Sequence, residues 1–142
     1  MLKNNTSKSI EYAFRSAYEC LFAREPAEID QALVYINGIR GLGKPSFASK
    51  HLRFIAPSLC LVYDAILTDK LPYAFTPRGY KEFAQDCASI ASSVNNARIT
   101  NPQRSDGSWK VADVESAIFA RFYNSFNHKF GAASSPARVG RD

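Results

Sequence analysis

No stretch of this 142-residue chain comes near the roughly 18 consecutive apolar residues of a membrane-spanning helix, so no membrane partner is expected. The first residues, Met1-Leu2-Lys3-Asn4-Asn5, lead straight into polar side chains and lack the apolar core of a signal peptide, which makes a cytoplasmic location the expectation. Cysteine is sparse: Cys20, Cys60 and Cys87 are far apart, odd in number and set among apolar neighbours. They form no CxxC pair, and only two histidines accompany them, so neither a disulfide framework nor a zinc site is suggested. Buried, reduced thiols are the simple reading, with no metal or cofactor. Phosphate-binding and dinucleotide-binding glycine motifs, a Ser-His-Asp arrangement and internal repeats are all missing.

What is present is enough for one folded domain. A chain of this length buries roughly 68% of its unfolded surface, and 46% of its residues are hydrophobic, ten Phe and seven Tyr among them. The formal charge is +5, which favours a polyanionic partner. Its placement says more than its size, because Arg40, Lys44, Lys50, His51 and Arg53 fall within fourteen residues.

Helical periodicity dominates. Ile10, Phe14, Ala17 and Leu21 mark a first helix from about Ser7 to Ala23. Pro26 suits the first turn of a second helix, whose buried stripe is Ile29, Ala32, Leu33 and Ile36. Ile39-Arg40-Gly41-Leu42-Gly43 reads as a glycine hairpin between helices, since its glycines permit positive φ. A third helix, about Pro45 to Ala56, is expected to bury Ala48, Leu52 and Ile55, with Phe47 and Phe54 flanking that face. Lys50 then lies on the edge of the face, and Ser46, Ser49 and Arg53 point outward. Leu59 to Tyr63 is an apolar run suited to a buried extended segment, and Asp64 is placed to cap a short helix. Thr76-Pro77 begins a long helix to about Val94, Asn95 to Ser108 is a polar loop, and a last helix covers about Lys110 to His128. The fold class is all-α, a compact domain of about six helices over residues 1–130 with a helix-hairpin-helix at about 29–56. A tail, 131–142, has no pattern and is expected to be disordered.

Helix, Gly-Leu-Gly hairpin, helix and a following aspartate form a pattern, with 21 residues from Gly43 to Asp64. This resembles the helix-hairpin-helix DNA glycosylase superfamily. The Ser49-Lys50…Phe54…Pro57…Tyr63-Asp64 arrangement is similar to its compact 8-oxoguanine DNA glycosylase (OGG)-fold members, and Trp109…Asp113-Val114-Glu115…Ala117-Ile118-Phe119 fits their closing helix. The resemblance implies a protein that binds double-stranded DNA and excises a modified or damaged base, with or without lyase activity. It makes Lys50 and Asp64 the catalytic pair. Pro45 stands where bifunctional members carry their lysine, so Lys44 and Lys50 both remain nucleophile candidates.

Elementary chemistry gives each residue its role beside a plainer one. Backbone amides at Gly41 and Gly43 can approach a phosphate, and Arg40, Lys44, His51 and Arg53 can add sequence-independent attraction; a tight turn that only packs helices uses the same glycines. Lys50, partly desolvated by Phe47 and Phe54, can act as a nucleophile, or lay its stem over those rings. Asp64 can stabilise an oxocarbenium-like sugar, or simply cap a helix. Tyr63 and Trp109 can stack on a flipped base, or pack the core. Glu25/Glu28 and Asp113/Glu115 read as helix-start charges. Two other functions stay open: a helix-hairpin-helix module that grips DNA without cutting it, and an interaction protein, phage- or defence-linked, whose basic surface meets an acidic protein.

Overall fold

A computed structural model of the chain describes residues 5–42 and 45–131, with side chains described as far as residue 123. Six helices and no strand occur among the described residues: α1 (Ser7–Phe22), α2 (Ile29–Asn37), α3 (Pro45–Ile55), α4 (Ala65–Thr68), α5 (Pro77–Asn96) and α6 (Val111–Gly131). The all-α class follows from the sequence pattern. Of the tail 131–142 expected to be disordered, Gly131 is the last residue of α6, and 132–142 lie outside the described residues.

Local chemistry explains where the helices begin. Thr6 accepts from the Ser9 amide while the Ser9 hydroxyl accepts from the Thr6 amide, a reciprocal box that opens α1. Thr76 caps α5 and Pro77 supplies its first residue, where a missing N–H costs nothing. α2 starts later than its proline suggests. The Glu28 amide donates back to the Cys20 carbonyl at 2.9 Å, closing the α1–α2 connection, so the helix begins at Ile29 and Pro26 lies ahead of it after a cis bond.

One apolar core joins these elements. Ala17, Cys20 and Leu21 of α1 meet Ala32, Leu33 and Ile36 of α2, and Tyr80, Phe83 and Cys87 of α5 meet Val111 and Val114 of α6. α2 packs on α1, α3 and α5, and α5 also packs on α6, so α5 ties the two halves together. All three cysteines are buried and free.

The segment Leu59–Tyr63 crosses this core without strand partners, with Cys60, Leu61 and Tyr63 fully enclosed. Buried backbone polar groups must still be paired, and here side chains do it. The Tyr63 amide donates to Ser49 Oγ at 2.8 Å, the Val62 amide to Glu115 Oε2 at 3.4 Å, and the Leu61 carbonyl accepts from Tyr80 Oη at 3.3 Å. The Tyr63 hydroxyl itself donates to the Ala74 carbonyl. An extended segment is therefore buried inside a helical protein by three neighbouring side chains, one each from α3, α5 and α6.

Candidate nucleic-acid interface

The hairpin turns on glycine. The Ile39 amide donates to Ile36 O and the Leu42 amide to Ile39 O, both at 3.1 Å, and Gly41 between them has φ +78°, a region that favours glycine. Ile39 is buried and anchors the turn, whereas Arg40 and Gly41 are exposed. Asn5 clamps the turn from outside: its Nδ2 donates to Arg40 O at 2.7 Å and its Oδ1 accepts from Arg40 N at 3.0 Å. The Arg40 amide is thus already engaged, and only its side chain is left to meet a phosphate. Gly43 and Lys44 lie outside the described residues.

α3 is turned differently from the sequence expectation. Its buried residues are Ala48, Ser49 and Leu52, and Ile55 is only half-buried. Ser49, expected outside, is 0% exposed, while Phe47 and Phe54, expected beside the core, are 55% and 85% exposed. The reason is polar satisfaction: besides accepting from Tyr63, the Ser49 hydroxyl donates to Ser46 O at 2.9 Å, so its burial leaves nothing unpaired. Lys50 shares the outward face, its ammonium 5.0 Å from the centre of the Phe47 ring. It is exposed, not desolvated.

His51 is half-buried and meets Phe14 edge-on at 5.9 Å. Arg53 is also half-buried and turns toward α6, where Nη2 donates to Ser116 Oγ at 2.8 Å and Nε lies 3.8 Å from Glu115 Oε2. That second contact is an ion pair but too long for a hydrogen bond.

Asp64 caps α4, its Oδ1 accepting from the Leu67 amide at 3.0 Å. The Ser49 to Tyr63 hydrogen bond sets the Ser49-Lys50 and Tyr63-Asp64 dipeptides side by side, joined through their first members. The two proposed catalytic groups form neither a hydrogen bond nor an ion pair with each other: the Lys50 ammonium stands on Phe47 and the Asp64 carboxylate on its helix cap.

The sequence reading missed the most perturbed carboxyl in this region. Glu115, taken as a helix-start charge, is 4% exposed. Burial drives its pKa up to about 7 against the opposing pull of the Val62 amide and Arg53, with the nearby Asp64 charge adding to the rise. Its ion-pair partner, Arg53, lies 62 positions earlier, which no local pattern signals. Asp113 does act at the start of α6, accepting from the Lys110 amide and binding Arg104 at 2.5 and 2.9 Å.

Of the two stacking candidates, Tyr63 is fully enclosed among Phe75, Tyr80 and Phe83 and offers no ring face to a base. Trp109 is half-buried and holds the α5–α6 loop, donating from Nε1 to Ile99 O at 2.9 Å and from its amide to Asn95 Oδ1 at 2.8 Å. It also lines an open cleft of about 290 Å³ with Arg53, Asn101, Asp113 and Ser116. Among the described residues no group of three His, Cys, Asp or Glu side chains is placed to hold a metal ion.

Along the sequence this region carries charge of one sign. Residues 31–63, from within α2 to the end of the buried segment, contain no Asp or Glu but carry Arg40, Lys44, Lys50 and Arg53. Set against protein-family models, curated proteins and solved structures, the chain matches none of them.

Proposed function

We propose that this protein binds DNA through the α2–hairpin–α3 element, in the manner of a helix-hairpin-helix DNA glycosylase. The observation that carries the reading is the acid-free stretch 31–63 folded into two packed helices around the Gly41 turn. Arg53 is engaged by Glu115 and Ser116, but Arg40 and Lys50 are exposed, and cations on an acid-free stretch attract a phosphate backbone regardless of base sequence.

Base excision is the second reading, favoured by the hydrogen bond that sets Lys50 and Asp64 on adjoining segments. The Lys50 amine, in its neutral form, would attack the sugar C1′, and the base would leave with the bonding electrons and take up a proton. The Asp64 carboxylate would stabilise positive charge developing on the sugar ring.

Both readings meet one set of measurements. Duplex affinity is expected to fall with rising salt with a log–log slope of about −2 to −3, and Lys50→Ala to reduce that slope by about 1. Duplexes carrying modified bases, treated with borohydride, are expected to yield a covalent adduct that Lys50→Ala abolishes. Salt-dependent binding with neither an adduct nor a released base would leave the DNA-binding module alone standing. A flat salt dependence sinks both.

A further inference from the structure

The outward face of α3 carries an unusual combination. At about 100° per residue, Phe47, Lys50 and Phe54 fall within a stripe about 60° wide, opposite the buried Ala48, Ser49 and Leu52. Isolated surface aromatics are common, but here two phenyl rings, 55% and 85% exposed, straddle a lysine whose ammonium stands on one of them. Neither ring serves the core. The cations of the surrounding stretch have no acidic residue among them.

We propose that this face is a stacking platform for unpaired bases of a DNA strand, with Phe47 and Phe54 each taking a base and Lys50 meeting the phosphates between them. Seven residues of helix separate the two rings by about 10 Å, close to three nucleotide steps of about 3.4 Å, so one strand segment can reach both. Every base has a π-face, so stacking needs no particular sequence, and the positive charge gives the strand its direction of approach. An acidic protein would satisfy the charge but leave the exposed rings without planar partners. The proposal rests on the DNA-binding reading and narrows its substrate to DNA that is locally unpaired, as at a mismatch, a flap or a displaced strand.

The test uses the full chain and two fluorescein-labelled probes, a short oligothymidylate and a duplex of the same length. Phe47→Ala and Phe54→Ala alter exposed side chains, and circular dichroism checks that the helices persist. Each substitution is expected to weaken oligothymidylate binding about tenfold, with duplex binding changed less than about twofold. Phe54→Trp is expected to keep the affinity and to show quenching of its emission by the oligothymidylate, beyond any change seen at Trp109 in the unaltered protein. Equal oligothymidylate affinity for the double alanine variant and the unaltered protein overturns the proposal. So does polyglutamate binding as tight as oligothymidylate and equally weakened by the alanines. If duplex binding survives either result, the DNA-binding reading stands without this face. If single-strand binding depends on the rings while duplex binding is absent, the platform stands and the duplex reading falls.

Discussion

Glu115 is the residue whose chemistry departs furthest from its place in the sequence. It sits one turn into an amphipathic helix, yet its carboxyl is enclosed, held by one backbone amide and an arginine too distant to hydrogen-bond. The folded state therefore prefers the protonated form, raising the pKa from 4.5 to about 7. Because the folded pKa is the higher one, the associated stability is fully present below about pH 4.5 and is lost as pH rises to about 7. The loss amounts to about 3 kcal/mol. In Glu115→Gln, whose neutral amide oxygen can still accept from Val62, urea unfolding across this range is expected to show a much flatter dependence on pH. An unchanged slope would mean that another group titrates there. Tyr63 is a simpler case: burial first, with the Glu82 charge adding, lifts its phenol to about 12, so it stays a neutral hydrogen-bond donor to Ala74.

At the scale of elements, the start of α5 is the most tightly constrained. Gly79 is buried where the loop carrying Ala74 crosses the helix, and a Cβ there would collide with the Ala74 carbonyl and press on the Tyr63 hydroxyl. In an exposed helix interior Gly→Ala stabilises by about 1 kcal/mol. Gly79→Ala is expected to have the opposite sign, destabilising by about 3 kcal/mol in chemical denaturation; a neutral or stabilising result would show that the loop yields freely.

The same crossing illustrates what could be read beforehand. Thr76-Pro77 announces α5, Asp64 announces its short helix, and the apolar run before it announces a buried extended segment, because caps and hydrophobic runs are local signals. The orientation of α3 was not local. Ranking its faces by hydrophobicity puts Phe47 beside the core and Ser49 outside, whereas Ser49 is inside, its oxygen accepting from a backbone amide fourteen residues on. Nor was the meeting of Arg53 with Trp109 around one cleft legible from spacing. That meeting depends on how α6 and its preceding loop return to α3, through pairs such as Arg53–Ser116.

Across the whole molecule, α5 couples the hairpin half to the C-terminal half, since it packs on both α2 and α6. Cooperative opening is what such an arrangement favours. The three cysteines happen to sample it widely, one in α1, one in the buried segment and one in α5. Burial is the leading cause that raises each thiol, Cys60 and Cys87 to about 12, so thiolate is scarce at mildly alkaline pH, and none of the three residues is more than 2% exposed. A thiol reagent added to the native protein is expected to modify all three at one slow shared rate, and at once in denaturing guanidinium. Rapid modification of one cysteine alone would reveal a part that opens by itself. The chain thus carries a built-in clock: its cysteines, silent in chemistry, keep time for how often the fold comes apart.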